Sequence, residues 1–124
     1  VSTAPAVVDG YFAALNEHRF ADLEPLWHPD GELHAVGAPP RIGREAVLAH
    51  FPAVLAGFAE HHDRVTRVLR DGDAVVTEIR FEGRLHDGRP VAFDAVDVFD
   101  LRDGVIVRLS SWYDTAAVAR QVRP

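Results

Sequence analysis

Three Asp-Gly dipeptides, Asp71-Gly72, Asp87-Gly88 and Asp103-Gly104, punctuate the second half of the chain, and between them apolar residues recur at every second position. Asp-Gly is a preferred pair for tight hairpins, because both residues tolerate the left-handed backbone such turns require. The intervening segments predict a four-stranded antiparallel meander of His62 to Arg70, Ala74 to Leu85, Val91 to Leu101 and Val105 to Tyr113. Strands of nine to twelve residues exceed the ~5–6 usual in globular sheets, so pronounced twist and curl should give the sheet a concave face.

The first half follows a different period. Val7, Val8, Tyr11, Phe12 and Leu15 recur at helical spacing, which predicts a helix from about Pro5 to Asn16 with Thr3 as its cap and Pro5 in its first turn. A second, short helix is expected over Phe20 to Trp27, with Pro25 in its first turn and His28-Pro29-Asp30-Gly31 ending it. Glu32 to Val36 alternates between two glycines as a short strand does, and a Pro39-Pro40 loop follows. From Gly43, apolar positions through Val47, Leu48, Phe51, Val54, Leu55 and Phe58 mark a third helix that Pro52 should kink or break. Thr115 to Val122 reads as a terminal helical turn. Helices first and long strands afterwards specify an α+β domain, residues 1–124, with the helices roofing the concave sheet over a cavity.

Composition removes several classes of chemistry. The 124 residues include no cysteine, which excludes disulfides, thiolate nucleophiles and cysteine metal sites. All 13 basic residues are arginine, so a Schiff-base lysine or a phosphate-loop lysine is unavailable. A net charge of −6, with arginines scattered among acidic residues, offers no basic stripe for nucleic acid. No apolar run approaches the ~20 residues that span a bilayer, and no segment reads as a signal peptide, so no membrane association and a cytoplasmic location are expected.

Three phrases carry a family resemblance: Val7-Val8-Asp9-Gly10-Tyr11-Phe12-Ala13-Ala14-Leu15-Asn16, Arg41-Ile42-Gly43-Arg44-Glu45-Ala46-Val47, and Val96-Asp97-Val98-Phe99-Asp100-Leu101-Arg102-Asp103-Gly104-Val105-Ile106. With the order of elements, they resemble the superfamily of nuclear transport factor two, ketosteroid isomerase, limonene epoxide hydrolase and SnoaL-type polyketide cyclases. The resemblance covers nearly the whole chain and implies a cystatin-like cone that associates as a homodimer through the outer sheet face. Against the ketosteroid isomerase pattern, Tyr11 falls on the oxyanion-hole tyrosine and Asp97 on its partner carboxylic acid, whereas the general-base aspartate falls on Ala35, with His34 beside it. Against the epoxide hydrolase pattern, the Arg-x-Asp pair is replaced by Ile79 and Phe81 and the last-strand aspartate by Ser111. The SnoaL-like group, whose members share a pocket but differ in chemistry, is the nearest match.

Strand alternation then selects the candidate residues. Asp97 interrupts Phe93, Ala95 and Phe99 on the face expected to line the cavity. Burial among aromatics raises a carboxyl pKa, letting it donate a hydrogen bond or act as a base near neutrality, as an apolar site does in ketosteroid isomerase itself. Tyr11 shares the apolar stripe of the first helix, and its hydroxyl could donate to a substrate oxygen beside Asp97 or be satisfied within the core. Leu109, Ser111 and Tyr113 share one face of the last strand, while Arg108, Ser110 and Trp112 take the other, where Trp112 is a candidate interface anchor.

His28 and His34 flank the expected pocket mouth and are candidate bases, while His18, His50 and His86 read as solvent-facing. His61-His62-Asp63 cannot chelate as neighbours on a regular strand, so no metal is expected. Trp27, Phe51, Phe58, Phe93, Phe99, Leu109, Ser111 and Tyr113 are the expected substrate wall. The leading expectation is a cofactor-independent enzyme performing isomerisation, cyclisation or dehydration on a small apolar carbonyl compound. The alternatives are a non-catalytic binder of an apolar ligand and a dimerisation module.

Overall fold

Alternating side chains and glycine-bearing turns organise the sheet, as a computed structural model describing residues 4–124 makes explicit. The elements are α1 (Ala6–Asn16), a 3-10 helix (Phe20–Leu26), β1 (Trp27–Ala35), β2 (Arg41–Ile42), α2 (Arg44–Leu55), β3 (Phe58–Asp71), β4 (Ala74–Leu85), β5 (Pro90–Arg102), β6 (Val105–Tyr113) and α3 (Thr115–Val122). The six strands form one curved, open sheet in the order β2-β1-β6-β5-β4-β3. The expected meander is β3 to β6. β1 joins it parallel to β6, and β2 pairs antiparallel with β1 at the edge.

The turns obey the glycine signal with a shift of register at one of them. In the last hairpin Arg102 pairs with Val105, and both Asp103 (φ 52°) and Gly104 (φ 79°) are left-handed, as a two-residue turn of the favoured twist demands. In the first, Asp71 is still in the strand, paired with Ala74, so the loop is Gly72-Asp73.

Three expectations need correction. Pro25 lies near the end of the 3-10 helix and not in a first turn, a position tolerated because this short helix has no i→i−4 ladder for the ring to break. His28 to Gly31 do not end a helix but belong to β1. Trp27 pairs with Ile106 and Glu32 with Arg108, so this stretch bulges out of the ladder. A Cβ on Gly31 would sit 2.8 Å from the Trp27 ring, which explains the glycine. The third helix passes Pro52, stops at Leu55, and leaves Phe58 to open β3. Thr3, the expected cap of α1, lies outside the described residues.

The core sits between α1 and the concave face: Val8, Tyr11, Phe12 and Leu15 bury against Val75, Ile79, Phe99, Ile106 and Leu109. Fully burying a side chain of this size is worth about 1.5–3 kcal/mol, so this stripe is what fixes α1 across the sheet. Among the described residues no helix is long and apolar enough to cross a membrane.

Candidate active site

Strand register lays the inward side chains out in rows. Asp63 on β3 pairs with Phe81, which pairs with Phe93. Val65 pairs with Ile79, Ile79 with Ala95 and Ala95 with Tyr113. Thr77, Asp97, Ser111 and Ala35 complete a third row across β4, β5, β6 and β1. Side chains of α1, α2 and α3 close over these rows through Tyr11 and Leu15, through His50, Phe51, Val54 and Leu55, and through Val118. The result is a partly open cavity of about 190 Å³ with mainly apolar walls.

Asp97 lies inside it, 7 % exposed. The Ser111 hydroxyl donates to its Oδ1 at 2.7 Å, which leaves Oδ2 for another partner. Burial pushes its pKa up to about 7, the Ser111 hydrogen bond opposes that shift, and the negative charge of Asp63 adds to it. Tyr11 stands at the centre of an aromatic cluster, its ring 5.1–6.5 Å from those of Phe12, Trp27, Phe51 and Phe99. Burial, then Asp97, then Asp63 raise its pKa well above the usual phenol range, so the hydroxyl keeps its proton and can donate it in a hydrogen bond.

Other expected residues divide. Phe51, Phe58, Phe93, Leu109, Ser111 and Tyr113 line the cavity, whereas Trp27 and Phe99 are buried core beneath it and do not. They support the wall from behind, because Tyr11 and Phe51 pack on them. His34 and His28 are outside. Regular pairing of Leu33 and Ala35 inward sends His34 to the outer face, where its Nε2 lies 3.0 Å from Glu32. The bulge turns His28 toward Asp30, Glu32, Asp100 and Arg108 on that same outer side. Neither histidine can serve as a base within the cavity from there.

Two polar lining residues escaped the sequence reading. His50, expected on an exposed turn, is half-buried at the α2 wall, and burial and then Arg41 lower its pKa, so the imidazole is neutral near pH 7. Asp63 lines the cavity from β3, and burial raises its pKa to about 6 against a smaller opposing effect of His62. The signal for Asp63 was its parity with inward Val65. As expected from alternation, its neighbour His62 is exposed and His61 buried.

The family model of the SnoaL-like domain matches residues 8–109. The chain belongs to the SnoaL-like family. Among solved structures, a protein with a ketosteroid isomerase-like fold from Catenulispora acidiphila, crystallised with trimethylamine, is 24% identical, with 97% of this chain and 94% of that one covered and a TM-score of 0.86. IdmH, a putative polyketide cyclase from Streptomyces antibioticus, is 25% identical over 94% of this chain and 95% of that one, with a TM-score of 0.81. An epoxide hydrolase from M. tuberculosis resembling limonene epoxide hydrolase is 21% identical over 94% and 86%, with a TM-score of 0.79. Among curated proteins no sequence matches this SnoaL-like chain significantly. The neighbours share the cone and differ in the chemistry their names describe, so the residues of the cavity must carry the argument for this one.

Proposed function

We propose that this SnoaL-like protein is a small-molecule enzyme that moves protons on an apolar carbonyl compound, with Asp97 as acid and oxyanion donor and Tyr11 assisting it. One observation carries the reading: a carboxyl that holds its proton near neutrality shares an aromatic-walled cavity with a phenol that stays protonated. Two donors aimed at one oxygen stabilise an enolate or alkoxide as it forms, which lowers the barrier to isomerisation, aldol-type cyclisation or dehydration. The chemistry calls on no cofactor. A cavity of about 190 Å³ is somewhat larger than the ~150 Å³ engineered cavity that accommodates benzene. A substrate portion of one or two rings fits that space.

Exchange of the α-protons of 2-tetralone into D2O, followed by proton NMR, tests the proposal with a bicyclic ketone. The wild-type protein should accelerate exchange over free acetate, and Asp97→Asn should remove at least 100-fold of that rate while leaving 2-tetralone affinity within threefold. Binding without exchange in the wild type would instead favour the carrier reading, for which the aromatic walls alone suffice.

The outer sheet face supports a second element of the proposal, a homodimer. Trp112 is 54% exposed there, beside Val96, Glu78 and Thr66 in a shallow groove. A large aromatic left in water at the middle of a sheet is the type of residue that anchors interfaces.

A further inference from the structure

The acid-base reading lacks a base, because β1 supplies only Leu33 and Ala35 to the cavity and sends both of its histidines outside. We propose that Asp63 is the general base, taking a proton from the carbon of a substrate whose oxygen is held by Asp97 and Tyr11. This rests on the acid-base reading and adds to it the residue that starts the reaction.

Asp63 lies one row beyond Ile79 and Ala95, and Asp97 one row before them. A flat apolar substrate lying on Ile79 and Ala95 therefore meets a carboxyl at each end. Asp63 is also anchored through its backbone, leaving its carboxyl free. Its backbone N–H donates to Asn16 Oδ1 at 2.8 Å, and its carbonyl accepts from Asn16 Nδ2 at 2.9 Å, which ties β3 to the end of α1. Its carboxyl has no hydrogen bond or ion pair with any described residue, unlike that of Asp97. A buried carboxyl with a structural role is normally hydrogen-bonded, whereas a base must keep a lone pair free for its substrate.

The surrounding groups separate the two roles. Tyr11 on α1, His50 on α2, Asp97 on β5 and Ser111 and Tyr113 on β6 share the cavity with Asp63, and His61 and His62 flank it on β3. No arginine lines the cavity among the described residues, so nothing there neutralises Asp63 as a salt bridge would. With its pKa near 6, Asp63 gives up its proton first, and the resulting charge helps Asp97 to keep its own. In the reaction the C–H electron pair passes to the carbonyl carbon–carbon bond and the carbonyl electrons to oxygen. The proton rests on Asp63 and returns to carbon, so no oxidant or reductant is consumed.

Exchange of 2-tetralone α-protons in D2O, measured against pD, separates this claim from the one beneath it. The wild-type rate should fall on an acid limb near 6, Asp63→Asn should lose at least 100-fold, and Asp63→Glu should retain part of the rate with its acid limb displaced. Exchange that survives Asp63→Asn within threefold but is lost in Asp97→Asn overturns the role of Asp63 and leaves the acid-base reading standing. No acceleration over acetate by the wild type overturns both. If Asp63→Asn does not fold, Asp63→Glu decides: an unchanged rate and an unmoved limb would contradict the proposal.

Discussion

Asp97 shows what burial does to a single side chain. An unfolded chain releases its proton near 3.8, the ordinary value for aspartate, whereas the folded protein holds it to about 7. Between those values the native state binds more protons than the unfolded state, so stability falls as pH rises from about 4 to about 7 and is level above. Asp63 acts with the same sign up to about 6. Asp97→Asn keeps an oxygen for Ser111 and removes the titration, so in urea denaturation it should match wild type near pH 4. At pH 8 it should be more stable by roughly 2–4 kcal/mol. Ser111→Ala removes the hydrogen bond that opposes the rise, and the Asp97 pKa should climb further in a carboxyl NMR titration. Alternation made Asp97 and Ser111 legible in the sequence, since both lie on regular strands. Asp63 was equally inward by parity, but its histidine neighbours drew attention to metal binding, and the apolar context that gives it chemistry comes from α1, α2 and β5, distant in sequence.

Among the elements, regular ones were legible and irregular ones were not. β4, β6 and α3 follow the sequence reading residue for residue, because period and turn residues agree there. The Trp27–Glu32 bulge was not readable, since it depends on Gly31 making room for the Trp27 ring, a contact invisible to local pattern. That bulge decides which way His28 faces. Gly31→Ala places a methyl against the ring and the His28 carbonyl, and should destabilise the fold by about 1–3 kcal/mol in urea titration. The α1–β3 junction has its own test. Asn16→Ala loses both hydrogen bonds to the Asp63 backbone, leaves the donor and acceptor without them, and should cost about 1–3 kcal/mol by the same measurement.

For the whole molecule, the sheet's two faces differ: the concave face with its helical roof encloses the cavity, and the convex face carries Trp112. If that tryptophan anchors a dimer, Trp112→Ala should shift the mass measured by light scattering from two chains toward one without altering the circular dichroism of the sheet. The family and the cone followed from element order and three phrases spread along the chain, because burial pattern and turn chemistry define that shape. Substrate chemistry did not follow, since a few side chains on a shared scaffold determine it. The proposed chemistry depends on a mainly apolar cavity that keeps the Asp97 carboxyl protonated. Carbon-13 NMR of labelled aspartate carboxyls, with Asp97→Asn to assign the resonance, measures this directly: a midpoint near 7 is expected, and one near 4, the value of a carboxyl in water, would contradict the account.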